Sequence, residues 1–338
     1  MHLQAAPPGI AERWLTDALK AIPKTPGQML GDALPSLLAS RGPGVLRLMV
    51  NTSYNPNLTV AEYAANSLEL FAPEEVRTAL VSTLHEKGPN EALAYLFGSR
   101  GNIVLPIAPQ IVAASLPYLR SPVPAELEGA VRVLSTMRDP YFQLPPHTVA
   151  QISDALEMDV NFVVSQKNEK AAWWIAQFLG ATRPPGARAL LWKLIDANLA
   201  TQQSLGCVTW FHDPSDLPRI TEIVKRNSPS DPHGYEHSGV VSQMQTQYGV
   251  VARPYLRNIL ASSQQTWVRT AAAQGLVQMN DRAGWEFFIG VVEQRPFYRD
   301  EMVRWLEATF PPIRDSNDAA TLAFLRSRLA DSTTNELQ

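Results

Sequence analysis

The chain has almost no cysteine. Cys207 is the single one in 338 residues, which excludes an intramolecular disulfide and any metal cage built from several thiolates. Charge is sparse too, at 18% of residues against a usual ~25%. The 29 basic and 32 acidic side chains nearly cancel, and no run of Lys and Arg stands out. A dedicated nucleic-acid surface or a polybasic membrane anchor would carry such a run, so neither is expected. Long apolar runs are missing as well. The best, 103–119, falls short of the ~20 residues of a spanning helix and holds Pro106, Pro109 and Pro117, so no membrane span is expected. The first twenty residues lack a basic segment followed by an apolar one. No signal peptide is read there, and a cytoplasmic location is the expectation.

Motifs are scarce in the same way. There is no GxGxxG after a strand, no P-loop, no GxSxG and no SxxK, so phosphate-cradling and standard serine-hydrolase chemistry have no support. No cofactor is expected. No segment sustains the apolar–polar alternation of a strand, which points to an all-α chain.

What is present is apolar residue at helical spacing. In 266–281, Val268, Ala272, Leu276 and Met279 recur at intervals of four, four and three, one stripe of a helix. Three alanines, 271–273, leave room for a neighbouring helix to come close. Asn280-Asp281 supplies a turn, and Trp285, Phe288, Ile289 and Val292 form the stripe of a second helix. Similar first helices end near Met137, Leu179, Phe211, Met244 and Phe310. With Met279, these anchors are 42, 32, 33, 35 and 31 residues apart. Second helices are expected at 187–199, 217–226, 250–261, 284–294 and 318–330, and 58–84 and 90–116 read as two less regular units. The 27 prolines fall at the turns, where a missing N–H stops one helix and a fixed φ suits the first turn of the next.

The stretch VRTAAAQGL, 268–276, resembles the second-half signature of HEAT repeats, in particular the short PBS-lyase HEAT-like repeats: Val268-Arg269, then Ala272-Ala273, then Leu276. The stretches 168–180 and 300–310 follow it more loosely. Ser263 stands where many HEAT units have Asp. The resemblance spans roughly 57–330 and implies a right-handed α-solenoid of about eight helical hairpins. Such a stack buries its shared core between rungs, so Leu276 and Met279 are expected inside and Arg269 between units. The domain reading is an irregular helical N-terminal cap at 1–50, a solenoid at 51–330 and a disordered tail at 331–338. Solenoids of this kind serve many functions. The expected one is a non-catalytic scaffold whose concave groove takes a protein or peptide.

Two further readings stay open. Residues 231–237, DPHGYEH, match H-x-x-E-H, so His233, Glu236 and His237 are candidate metal ligands for a hydrolase. Two histidines four apart on a helix can reach one metal, and His212, Asp213 or Asp216 could add a ligand if the turns are adjacent. The bland reading is a solvated polar loop. The other alternative is a nucleic-acid enzyme like the HEAT-like alkylpurine DNA glycosylases, which would need a basic groove. Cys207 reads as a buried structural residue. Trp173, Trp174 and Tyr235 are the candidate binding-surface residues, because adjacent tryptophans point ~100° apart on a helix and one can face outward. The inserted loop 226–237 is a further binding candidate. Most other tryptophans read as core.

Overall fold

The computed structural model describes residues 43–54, 61, 64–65, 67–90, 94, 101–137, 145–226, 233–314 and 316–335. Among them every regular element is helical, and no helix is long and apolar enough to cross a membrane. The stretch 103–119 breaks into short helical pieces at its prolines. Most of the expected cap, 1–42, lies outside the described residues. The chain divides into two compact units, 1–201 and 202–338.

Unit 1 contains α1 (Pro43–Thr52), α2 (Pro73–Lys87), α3 (Ala108–Ser115), α4 (Pro124–Thr136), α5 (Pro146–Gln166), α6 (Glu169–Thr182) and α7 (Ala187–Asp196). Proline opens α2, α4 and α5, where its missing N–H is no loss. Glu74 and Glu75 in the first turn of α2, with His85 and Lys87 in its last, complement the helix dipole. The α5–α6 turn is two residues long. Lys167 takes the left-handed conformation, and the Asn168 side chain accepts from the Ala171 N–H at 3.0 Å, an N-cap worth about 1 kcal/mol.

Alternate helices lie side by side: α4 packs on α6, α5 on α7, and α6 also touches α5 and α7. Leu127, Ala130 and Leu134 of α4 and Ala172, Ile175 and Leu179 of α6 are buried. Each leucine or isoleucine there contributes about 1.5–3 kcal/mol.

Unit 2 starts at the second residue of α8 (Thr201–Thr209) and continues through α9 (Leu217–Val224), α10 (Tyr235–Tyr248), α11 (Arg253–Ser262), α12 (Thr266–Gln278), α13 (Arg282–Gln294), α14 (Arg299–Thr309) and α15 (Asp318–Asn335). Here too alternate helices pair: α9 with α11, α10 with α12, α13 with α15. α12 is the hub, because its alanines let α10, α11 and α13 all approach. Ala272, Ala273 and Leu276 are fully buried. A Cβ added to Gly284 of α13 would lie 2.7 Å from Val277 N and 2.9 Å from Ala273 O on α12. Backbone cannot yield as a side-chain tip can, so this crossing requires glycine.

The α12–α13 turn holds the strongest polar cluster of unit 2. The Asp281 carboxylate accepts from the Ala283 N–H at 3.1 Å, capping α13. It also pairs with Arg257 at 2.8 Å and Arg253 at 3.6 Å, both from α11, so one buried side chain ties three helices. Arg269 of α12 donates to Leu260 O and lies over the Phe287 ring, bridging α11 and α13. Cys207 is buried on α8.

Three expectations change. Met279 is half-buried, not core, because α12 ends at Gln278 and Met279 is its C-cap. The 21-residue α5 was not among the expected second helices, and its length accounts for the wide first interval. α15 continues to Asn335, past the point where a tail was expected. Ser332 lies buried on it and bonds back to Leu329 O. Residues 336–338 lie outside the described residues.

Candidate functional site

Among the described residues the most exposed large aromatic side chains belong to unit 2. Phe297 is 79% exposed and Tyr235 60%. Both stand where a helix begins: Tyr235 is the first residue of α10, and Phe297-Tyr298 immediately precede α14. Trp267 is the second residue of α12 and lies between them in the chain.

Gly234 sets the geometry. Its φ is +77°, and an added Cβ would come within 2.7 Å of Val268 and 2.8 Å of Gln265. Both the left-handed backbone and the close approach require glycine. The approach lets His233 O accept the Trp267 N–H at 3.0 Å, which pins the start of α10 against the start of α12. Tyr235 then lies 5.0 Å from Trp267, centroid to centroid, in a tilted stack. Trp267 touches Tyr298 at 6.4 Å, and Tyr298 meets Phe297 edge-on at 5.2 Å. His233 bridges Tyr235 at 6.3 Å and Phe297 at 6.4 Å. Five rings thus form one connected surface across the starts of α10, α12 and α14.

The surface is buried at its centre and exposed at its edges. Trp267 is buried, and among the described residues no acceptor meets its indole N–H. Tyr235 and Phe297 are exposed. Burying apolar rings on a ready-made, low-entropy platform is the chemistry of a binding hot spot.

The metal constellation is not assembled. His233 sits in the turn before Gly234 and only His237 is on α10, so the two histidines do not share a helix face. His212 Nδ1 lies 3.0 Å from Gln247 O, at the far end of a helix about 20 Å long. Asp213 caps the turn at Ser215. No group of three His, Cys, Asp or Glu side chains among the described residues is placed to hold a metal. Part of the loop, 227–232, lies outside the described residues.

Trp173 and Trp174 belong to α6 in unit 1, with rings edge-on at 4.5 Å. Trp174 is half-buried under the Arg132 guanidinium at 4.9 Å. Trp173 is 38% exposed. Trp192, Trp210 and Trp305 are half-buried, and Trp285 is fully so.

Phe297 and Tyr298 were not singled out from the sequence, yet a signal was there. Tyr235, Trp267 and Tyr298 are spaced 32 and 31 residues apart, one aromatic at the start of each first helix.

No family model matches the chain, and no curated protein matches it. A solved structure described as an engineered protein aligns over 98% of this chain and 97% of its own, at 14% identity and a TM-score of 0.47. That likeness is too distant to argue from.

Proposed function

We propose that this protein is a non-catalytic scaffold that binds a polypeptide through the aromatic surface of unit 2. We further propose that its helix pairs form a right-handed, HEAT-like α-solenoid of about eight hairpins. The carrying observation is the five-ring surface with Phe297 and Tyr235 exposed. A contiguous exposed apolar patch marks an interaction site. The solenoid is supported by the pairing of alternate helices within each unit, which stacked hairpins produce, and by the position of VRTAAAQGL on the hub helix α12.

Neither alternative gains a specific observation. For the hydrolase, no third ligand joins His233 and His237 among the described residues. For a phosphate-binding groove, six arginines of unit 2 (Arg253, Arg257, Arg282, Arg295, Arg299 and Arg326) are already engaged with carboxylates.

A displayed peptide library selected on the parent protein tests the binding reading. Peptides should enrich, and a Tyr235→Ala/Phe297→Ala variant should fail to hold them. No enrichment over an unrelated helical protein, or equal capture by the variant, would end it.

A further inference from the structure

Unit 1 buries a carboxylate that the fold does not use. Along α5, Ile152, Leu156, Val160 and Val163 form the core stripe, and all are buried. Asp159 falls on the same stripe, at 0% exposure. Neither of its oxygens accepts a hydrogen bond from any described residue. A buried polar group without partners asks for an explanation. An apolar residue would fill that place at lower cost, and a structural aspartate would have donors.

Asp159 lines a cavity of about 460 Å³ between α5 and the turn Leu116–Arg120. The rest of the wall is mostly apolar, including Leu116, Pro117, Leu119, Ala155 and Met158, with Asp154 and Arg120 also on it. Met158 is 61% exposed. The Asp159 oxygens have no accessible surface, so a wall side chain must shift for a ligand to reach them, and the flexible, unbranched Met158 can do so. The volume suits a small ligand or one side chain of a partner. Burial pushes the Asp159 carboxyl up to about 7, with the Arg120 charge pulling the other way. The carboxylate thus lacks sufficient stabilisation of its charge as it stands.

We propose that this cavity binds an aliphatic ammonium group, its alkyl stem against Leu116, Leu119 and Met158 and its charge on the Asp159 carboxylate. An ammonium supplies both things the site lacks, hydrogen-bond donors and a positive charge. The acidic wall residues Asp159 and Asp154 outnumber the one cation, Arg120. A guanidinium or anion fits less well: the first is wide and planar, and the second would meet two carboxylates. The ammonium is either that of a small free amine or that of a lysine side chain. This inference concerns unit 1 and stands apart from the aromatic surface.

Calorimetric titration of the full chain tests it with three probes: n-butylammonium chloride, Nα-acetyl-lysine methylamide and neutral n-butanol. Both ammonium probes should bind, at least about tenfold more tightly than n-butanol. Tighter binding of the lysine derivative assigns the source as a polypeptide, and the reverse assigns a free amine. Asp159→Asn should weaken both ammonium probes by at least about tenfold. This variant keeps the shape and removes a buried charge, so it should fold at least as well as the parent. Arg120→Gln should tighten both, by removing a competing charge. Equal binding of butanol and butylammonium, undiminished binding by Asp159→Asn, or no binding of either ammonium would overturn the proposal.

Discussion

Two aspartates, one in each unit, are buried to the same degree and treated in opposite ways. Asp281 in unit 2 caps a helix and pairs with two arginines. Asp159 in unit 1 has no hydrogen-bond donor among the described residues. Sequence position already separates them, since Asn280-Asp281 reads as a turn while Asp159 falls on the core stripe of α5. The supply of partners differs as well: α11 presents two arginines to Asp281, while among the described residues the cation acting on Asp159 is an exposed Arg120. A satisfied buried charge specifies how helices pack. An unsatisfied one is a standing cost, and such costs persist where a ligand relieves them.

The largest effect that would break this contrast belongs to Asp281. Asp281→Ala removes a cap and the charged hydrogen bonds to α11, so urea unfolding should show a loss of about 3 kcal/mol. A loss under about 1 kcal/mol would make the two aspartates alike. Next is the hub helix α12 beside Asp281. Ala272→Leu should overpack α12, and Gly284→Ala should force α13 off it, each costing about 1–3 kcal/mol in the same measurement. Parent-like melting of both would mean that α12 is not tightly packed.

Asp159→Asn should move the other way. In the unfolded chain the carboxyl titrates near 3.8, and in the fold near 7. Between those values the folded state holds a proton the unfolded state has released, so raising the pH destabilises the fold. The cost is absent below about pH 4 and complete above about pH 7. The variant should therefore be more stable than the parent by about 1 kcal/mol or more at pH 8, and its advantage should vanish near pH 4. A variant less stable at pH 8 would mean that Asp159 holds the fold together. The smallest effect belongs to Phe297. Because it is so exposed, Phe297→Ser should change stability by less than about 0.5 kcal/mol.

Much of the helix layout was legible in the sequence, and the reason is periodicity. The stripes from Glu169 to Ala330 repeat with little interruption, and prolines and Asx residues mark their ends, so the expected and observed helices there agree within a few residues. α5 was not legible as a second helix. Its stripe carries Asp159 at a core position, and its 21 residues stretch the interval that would have placed it. The site divides in the same way. Tyr235 stood out as an aromatic in a polar loop, but its partners did not, because Phe297 and Tyr298 lie in a turn that belongs to no stripe. His233 and His237 read as a helical pair only if Gly234 is helical. Its left-handed conformation, set by the contact with Val268 and Gln265, separates them.

The most direct test of the central claim is the affinity of one selected peptide for the parent and for Tyr235→Ala/Phe297→Ala, measured by calorimetry beside thermal melts of both. The variant should bind at least about tenfold more weakly, with a melting temperature close to the parent's. Equal affinity for the two proteins would contradict it, and would place the binding surface elsewhere on the chain.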